Sequence, residues 1–246
     1  MPGPQYALAA HAFACLSGRY VIILDLKADR YFALEAARAA SLAALVRDWP
    51  IGTERAVNPV SPAAQALAAD LAQRGLLRAG PAAIAGSNRV EVRAATTELT
   101  CVDHTTAPTD HACSQPPAFC SFLTLLGTLI SASFRFRCFG IERIIERVRL
   151  RNAPWTGTLK ADDLERARRL VTLFRRARPF LLSSRNNCLF ESFVLSEFLA
   201  GHRLYPRWVF AVQTDPFMAH CWLQADGIVL DGSVAEIAHL TPIMVA

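Results

Sequence analysis

Lysine is almost missing from this chain: of 26 basic residues, only Lys27 and Lys160 are not arginine. Alongside so much alanine, that imbalance fits GC-rich coding and carries no chemistry of its own. Also missing are a charged-then-apolar leader and any small-domain disulfide spacing among the seven cysteines. Both absences point to a reducing compartment, the cytoplasm. No apolar run reaches the ~20 residues that cross a bilayer. The strongest, Phe119 to Phe134, is interrupted by Ser and Thr and reads as a buried helix. What is present is ample apolar material. The 246 residues are 52% hydrophobic with mean hydropathy +0.24, which excludes wholesale disorder and suits one large domain or two small ones.

The net charge of +5 is unevenly placed. Between Arg135 and Arg185 there are 14 Lys and Arg against five acids. That excess reads either as a solvated helix face or as a surface for an acidic peptide or partner protein. Nucleic acid is not expected as a partner, because no aromatic-and-basic recognition motif accompanies the charge.

Residues 1–80 have their own logic. Tyr20–Asp25 is a β-branched run, Lys27–Asp29 a polar turn and Arg30–Leu34 a second strand, together predicting a hairpin. Ala36–Val46 is Ala/Leu-rich and predicts a helix. Ser61 before Pro62, with Gly75 beyond, brackets another whose apolar face carries Leu67 and Leu71. Strands followed by helices suggest a small winged-helix-like module. Trp49–Val60, with two prolines and a glycine, is at best a short irregular helix.

From residue 81 to 118 the pattern dissolves into Gly, Pro, Thr and Ser, as in a linker with one short strand near Arg89–Arg93. Cys101, His104, His111 and Cys113 fall there. Their spacing matches no usual zinc finger or ribbon, so no metal and no cofactor is expected.

The second part, 119–246, opens with helices. Ile141, Ile144, Ile145 and Val148 form one stripe; Leu164, Ala167, Val171 and Phe174 form another, with acids at its start and arginines at its end. Asn186–Asn187 is an N-cap signal and Gly201 a stop, which predicts a helix from about Cys188 to Ala200. Cys188 then sits where unpaired N–H groups and the helix dipole favour a thiolate. It shares a stripe with Ser192, Leu195 and Leu199, so it is either a small core residue or a nucleophile facing the interior. Glu191, one turn along, opposes a low thiol pKa unless it points away.

Three strands follow: Trp208–Val212, His220–Gln224 and Ile228–Asp231. Asp226–Gly227 between the last two predicts a two-residue type I′ hairpin. That turn sets Ala225 opposite Ile228, Gln224 opposite Val229 and Leu223 opposite Leu230. His220 and Asp231 then become diagonal neighbours on one face. Cys221 alternates to the other face and reads as a core residue. A helix-borne Cys188 followed by His220 and Asp231 on strands is the order of a transglutaminase-like or papain-like cysteine protease core. Separately, His220 is readable as a half-buried histidine and Asp231 as a strand-end residue. Ser183 and Ser184 are not placed as nucleophiles, and His202 and His239 have no partner that the sequence names.

The chain resembles the lasso-peptide biosynthesis B protein family. The similarity rests on Ser184-Arg185-Asn186-Asn187-Cys188-Leu189, Trp208–Val212, Asp215-Pro216-Phe217, Ala219-His220-Cys221-Trp222 and Leu240-Thr241-Pro242-Ile243. In residues 1–80 it rests on Leu24-Asp25-Leu26, Arg30-Tyr31-Phe32-Ala33-Leu34 and Gln73-Arg74-Gly75-Leu76-Leu77. The family often has Asn-Asp where this chain has Leu230-Asp231-Gly232. The resemblance implies an α+β chain with an N-terminal leader-recognition domain and a C-terminal transglutaminase-like cysteine protease domain. It implies a catalytic Cys188, His220 and Asp231 that remove the leader of a ribosomally made precursor peptide. The leader would bind as an added strand at Arg30, Tyr31, Phe32, Ala33 and Leu34, beside Leu67 and Leu71 of the following helix. A macrolactam synthetase of the asparagine-synthetase-like type would be the partner enzyme. The alternatives are acyl transfer on the same core, or a non-catalytic scaffold that presents the leader.

Overall fold

The computed structural model describes residues 5–52, 61–80, 94–99, 118–155, 159–181 and 188–246. The strand expected near Arg89–Arg93, the Cys101/His104/His111/Cys113 cluster, Ser183–Ser184, Asn186–Asn187 and the end of Trp49–Val60 lie outside them. Contacts divide the chain into two compact units. The first takes in the described residues of 1–92, 210–219 and 240–245; the second takes in those of 93–209, 220–239 and 246.

In the first unit the chain runs β1 (Tyr6–Leu8), β2 (Ala12–Ser17), β3 (Tyr20–Asp25), β4 (Arg30–Glu35), α1 (Ala36–Ala39), β5 (Val46–Arg47), α2 (Pro62–Gln73) and β6 (Leu77–Ala79). The expected hairpin is β3–β4, with Tyr20 opposite Glu35 and Asp25 opposite Arg30. Asp25 closes the turn by accepting hydrogen bonds from the Lys27 and Ala28 N–H groups at 3.0 and 3.1 Å. Asp29 supplies the left-handed residue at φ +51°. Strand β2 pairs with the other side of β3, giving the order β2-β3-β4 with β4 at an edge. Val21, Ile22, Ile23 and Leu24 are all buried, which is why β3 reads as a continuous apolar run rather than an alternation.

Which face of β4 points inward is settled by packing. Phe32 and Leu34 lie against the same core as Val21, Ile23 and the helices. Tyr31, on the opposite face, meets Phe217 edge-on, with ring centroids 5.5 Å apart.

A second small sheet, β5-β1-β6, was not legible in the sequence, since its strands are two or three residues long. It also explains why the helix expected over Ala36–Val46 is shorter. Helix α1 ends at Ala39, a 3-10 turn covers Ala40–Leu42, and Val46 pairs instead with Tyr6 in a parallel bridge. Tertiary pairing overrides the alanine propensity there. Trp49 locks the corner by donating Nε1–H to the Ala39 carbonyl at 2.9 Å.

Helix α2 is as expected. Ser61 Oγ accepts from the Ala64 N–H at 3.1 Å, Pro62 opens the helix, and Gly75 follows it at φ +77°. Leu67 and Leu71 are 5% and 3% exposed, inside the core with Ala64 and Ala68. The apolar stripe that places them beside the expected leader strand is the one α2 buries against its own unit. The face of α2 left open carries Gln65, Ala66 and Ala69.

The chain continues through β7 (Thr97–Glu98), α3 (Ala118–Cys138), α4 (Ile141–Asn152), α5 (Ala161–Leu181), α6 (Cys188–Gly201), β8 (Arg207–Thr214), β9 (Phe217–Ala225), β10 (Ile228–Val229), α7 (Val234–Ile237) and β11 (Thr241–Val245). Strands β7–β11 form one sheet in the order β11-β8-β9-β10-β7.

Helix α6 is the centre of the second unit. Phe193, Val194, Leu195, Phe198 and Leu199 are at most 1% exposed, so it is apolar on nearly every side. Each such side chain contributes roughly 1.5–3 kcal/mol on burial. Its one acid in this region, Glu197, is held by both Arg135 of α3 and Arg151 of α4. Arg151 also donates to Ser196 Oγ at 2.9 Å, and Asn152 donates to the Pro206 carbonyl at 3.1 Å. Helix α3 packs along one side only. Leu125 and Ala132 are buried, but Phe122, Leu123, Leu126, Ile130 and Phe134 are exposed, so it is not the buried helix its composition suggests. No helix among the described residues is long and apolar enough to cross a membrane.

Candidate active site

Cys188 is the first residue of α6, and His220 lies on β9, both in the second unit. The His220 imidazole hydrogen-bonds the Cys188 thiol. The thiol of Cys221 does so too, and the Cys221 N–H points at the same sulfur. These donors, Cys221 first and His220 second, hold the Cys188 thiol down at about 4 against the pull of partial burial. A group at that pKa is a thiolate at neutral pH. His220 is correspondingly raised: its bond to Cys188 leads, and the charges of Cys188, Asp231 and Glu236 add to it against desolvation. Each group thereby favours the charged form of the other.

Glu191 does not spoil this arrangement. Its carboxylate is turned to Arg178 of α5 at 2.6 Å. Beneath the thiolate lies a buried polar hub that the sequence did not reveal. Ser192 Oγ, one turn along from Cys188, donates to the Cys188 carbonyl at 2.5 Å and accepts from Trp208 Nε1 of β8 at 2.8 Å. It also lies 3.3 Å from Cys221 Sγ. One hydroxyl thereby fixes the first turn of α6 against two strands. Its signal in the sequence was the i, i+4 spacing from Cys188, but that spacing does not distinguish a polar hub from a stripe.

The hairpin carrying His220 and Asp231 has the expected register, with Ala225 opposite Ile228 and Gln224 opposite Val229. The Leu230 N–H to Leu223 carbonyl bond of 2.9 Å extends it by one pair. The turn itself differs from type I′. Asp226 is the left-handed residue at φ +51°, and Gly227 is not in that region. Glycine serves there for close approach instead: a Cβ at position 227 would lie 3.0 Å from Thr96 Oγ1, just where the Thr96 N–H meets the Gly227 carbonyl at 2.9 Å. Strand β7 reaches β10 through that gap.

Regular pairing stops after Val229 because side chains take over the next backbone groups. Asp231 Oδ1 accepts the Leu223 N–H at 2.5 Å, and Arg175 Nη2 of α5 donates to the Leu230 carbonyl at 3.0 Å. The strand expected over Ile228–Asp231 is therefore only Ile228–Val229. Asp231 acts on His220 through its charge while bonded to the β9 backbone. Burial pushes the Asp231 carboxyl up to about 7, against the lowering by the Leu223 N–H, His220 and Arg175. Along the same face of β9, Trp222 stacks at 6.2 Å from His220 and donates to Gln224 Oε1 at 3.0 Å, which stiffens the strand under the histidine.

The structure thus brings Cys188, His220 and Asp231 together. Arg30–Leu34, Leu67 and Leu71 belong to the first unit. Chemically, the arrangement offers a preformed thiolate, an adjacent proton carrier and a carboxylate whose charge favours the protonated imidazole.

Residues 128–245 match the family model of the Transglutaminase-like superfamily. The C-terminal part of the chain is therefore similar to a superfamily that includes cysteine peptidases and acyl transferases. No curated protein and no solved structure was found to match the chain.

Proposed function

We propose that this chain is a cysteine peptidase of the lasso-peptide biosynthesis B type, working in the cytoplasm. In this reading residues 1–80 bind the leader of a ribosomally made precursor, 81–118 link, and 119–246 cut at the leader–core junction. The observation that carries it is the hydrogen-bonded Cys188–His220 pair inside the transglutaminase-like stretch. The Cys188 thiolate attacks the scissile carbonyl, and the amine leaves with the proton of the His220 imidazolium. His220, now neutral, takes a proton from water, whose oxygen displaces Cys188 from the thioester. Asp231 favours the protonated imidazole throughout. The Cys188 N–H, at the free end of α6, is the candidate donor to the oxyanion.

Recognition rests on β4. As the last strand of its sheet, it leaves an edge to which an extended peptide adds backbone hydrogen bonds. Arg30, Ala33 and Glu35 are exposed there, and Gln65, Ala66 and Ala69 line the open face of α2. A macrolactam synthetase of the asparagine-synthetase-like type would receive the freed core peptide.

The test is product analysis. A synthetic lasso-type precursor peptide, with its leader intact, is incubated with the chain, with and without hydroxylamine. The proposal expects free leader acid and free core amine in buffer alone. A chain that releases nothing in buffer but yields the leader hydroxamate is an acyl transferase. One that binds leader tightly and makes neither product is a scaffold.

A further inference from the structure

The peptidase cycle uses one thiol, yet two meet at the site. Cys221 is 4% exposed, hydrogen-bonded to Cys188 and 3.3 Å from the hydroxyl that also holds the Cys188 carbonyl. The other described cysteines are elsewhere: Cys15 is buried in the first unit, while Cys120 and Cys138 are exposed on α3. The Cys221 thiol helps to hold Cys188 as a thiolate, and its place against that sulfur gives it a second chemical possibility.

We infer that Cys188 and Cys221 form a reversible redox pair, in which a peroxide converts the reactive thiolate to a disulfide with its buried neighbour. The Cys188 thiolate attacks the peroxide oxygen, an S–O bond forms and the O–O bond breaks. The departing hydroxide takes the His220 proton and leaves as water. Cys221 sulfur then attacks the Cys188 sulfenic sulfur, the S–O bond breaks, and the second hydroxide leaves as water with the Cys221 proton. Two thiols are oxidised and one peroxide is reduced.

The electrostatics favour this second step only after the first has happened. Cys221 is held well above its ordinary value chiefly by its bond to the Cys188 thiolate, then by burial, then by the charge of that thiolate. Conversion of Cys188 to a neutral sulfenic acid removes the first and third causes and leaves burial and the Asp231 charge, opposed by the Ser192 hydrogen bond. Cys221 therefore becomes more acidic at the moment when it must act as the resolving nucleophile. While Cys188 is reduced, Cys221 stays protonated and inert, which keeps the pair open for catalysis.

That the disulfide silences the chain rests on the peptidase reading above; that it forms does not. The experiment treats the full folded chain with hydrogen peroxide, quenches with acid, alkylates under denaturing conditions and maps the cysteine peptides by mass. A Cys188–Cys221 linked peptide is expected, with alkylation of both residues lost together, that of Cys120 and Cys138 retained, and dithiothreitol restoring both thiols. In Cys221→Ser, Cys188 should pass on to sulfinic acid that dithiothreitol does not reverse. Cys188 found as sulfinic acid in the unsubstituted chain, left reduced, or linked to Cys120 or Cys138 overturns the inference. A linked peptide in a chain without peptidase activity preserves the inference and removes the peptidase reading.

Discussion

The site around α6 and the edge of β4 are built on opposite principles. At Cys188 every important atom is a side chain with a fixed partner: His220 and Cys221 on the sulfur, Ser192 on the carbonyl, and Leu223 N–H on Asp231. At β4 what is offered is backbone, and its side chains serve the fold, Phe32 and Leu34 in the core and Tyr31 on Phe217. Chemistry needs particular atoms at particular distances, whereas strand addition needs only an unobstructed edge. Substitutions at the first region should therefore act on kcat, and those at the second on peptide affinity.

The largest expected effect is Cys188→Ala. Cleavage of the precursor should fall by at least ~10⁴-fold, as for removal of a nucleophile from a set acting as a unit. Leader binding, measured by titration with labelled leader peptide, should be unchanged. A parallel loss of binding would break the division between the two regions.

Asp231→Asn comes next, at roughly 10³–10⁴-fold in kcat, since an amide keeps the bond to Leu223 N–H but not the charge on His220. Its pH profile sharpens the point. With Asp231 titrating at about 7, the acid limb of kcat/KM should lie near there, and in the variant it should move down toward the Cys188 titration at about 4. Stability should run the other way. A carboxyl whose folded pKa is raised contributes stability below its unfolded value, and that contribution is lost as pH rises through about 7. Asp231→Asn should accordingly melt no lower than the parent above neutral pH.

Ala33→Pro should act on the other region. It removes an N–H that faces away from β3 and fixes φ, and the leader Kd should rise by about 10–100-fold, within the ~3 kcal/mol cost of a misplaced proline. Ala33→Val, which keeps that N–H, should bind nearly normally; equal losses in the two variants would point to packing rather than strand addition. Tyr31→Ala is the mildest. It should lower stability by about 0.5–1.5 kcal/mol through the lost edge contact with Phe217, with kcat untouched.

The same contrast governed what the sequence could reveal. The β9–β10 register was legible because an Asp-Gly turn and two alternating strands leave one solution, and that solution placed His220 beside Asp231. The start of α6 was legible at Cys188 for similar local reasons. Cys221 was only half legible: it was expected to be buried and is, but nothing local to it announces that Cys188 on α6 packs against it. Arg175, which ends β10, lies on a different helix, and nothing local to Leu230 announces it. The β5-β1-β6 sheet was invisible because its strands are too short to alternate. On β4 the alternation was plain, but which face packed inward depended on β3 and α2, so the face followed only from the assembled core.

The most direct test of the primed thiolate is the alkylation rate of Cys188 as a function of pH, read by peptide mapping in the folded chain. The rate should stay on its plateau down to about pH 5 and fall with a midpoint of about 4, while Cys221 remains unreactive. A rate that is negligible at neutral pH and rises only toward the ordinary thiol value near 9 would contradict the account.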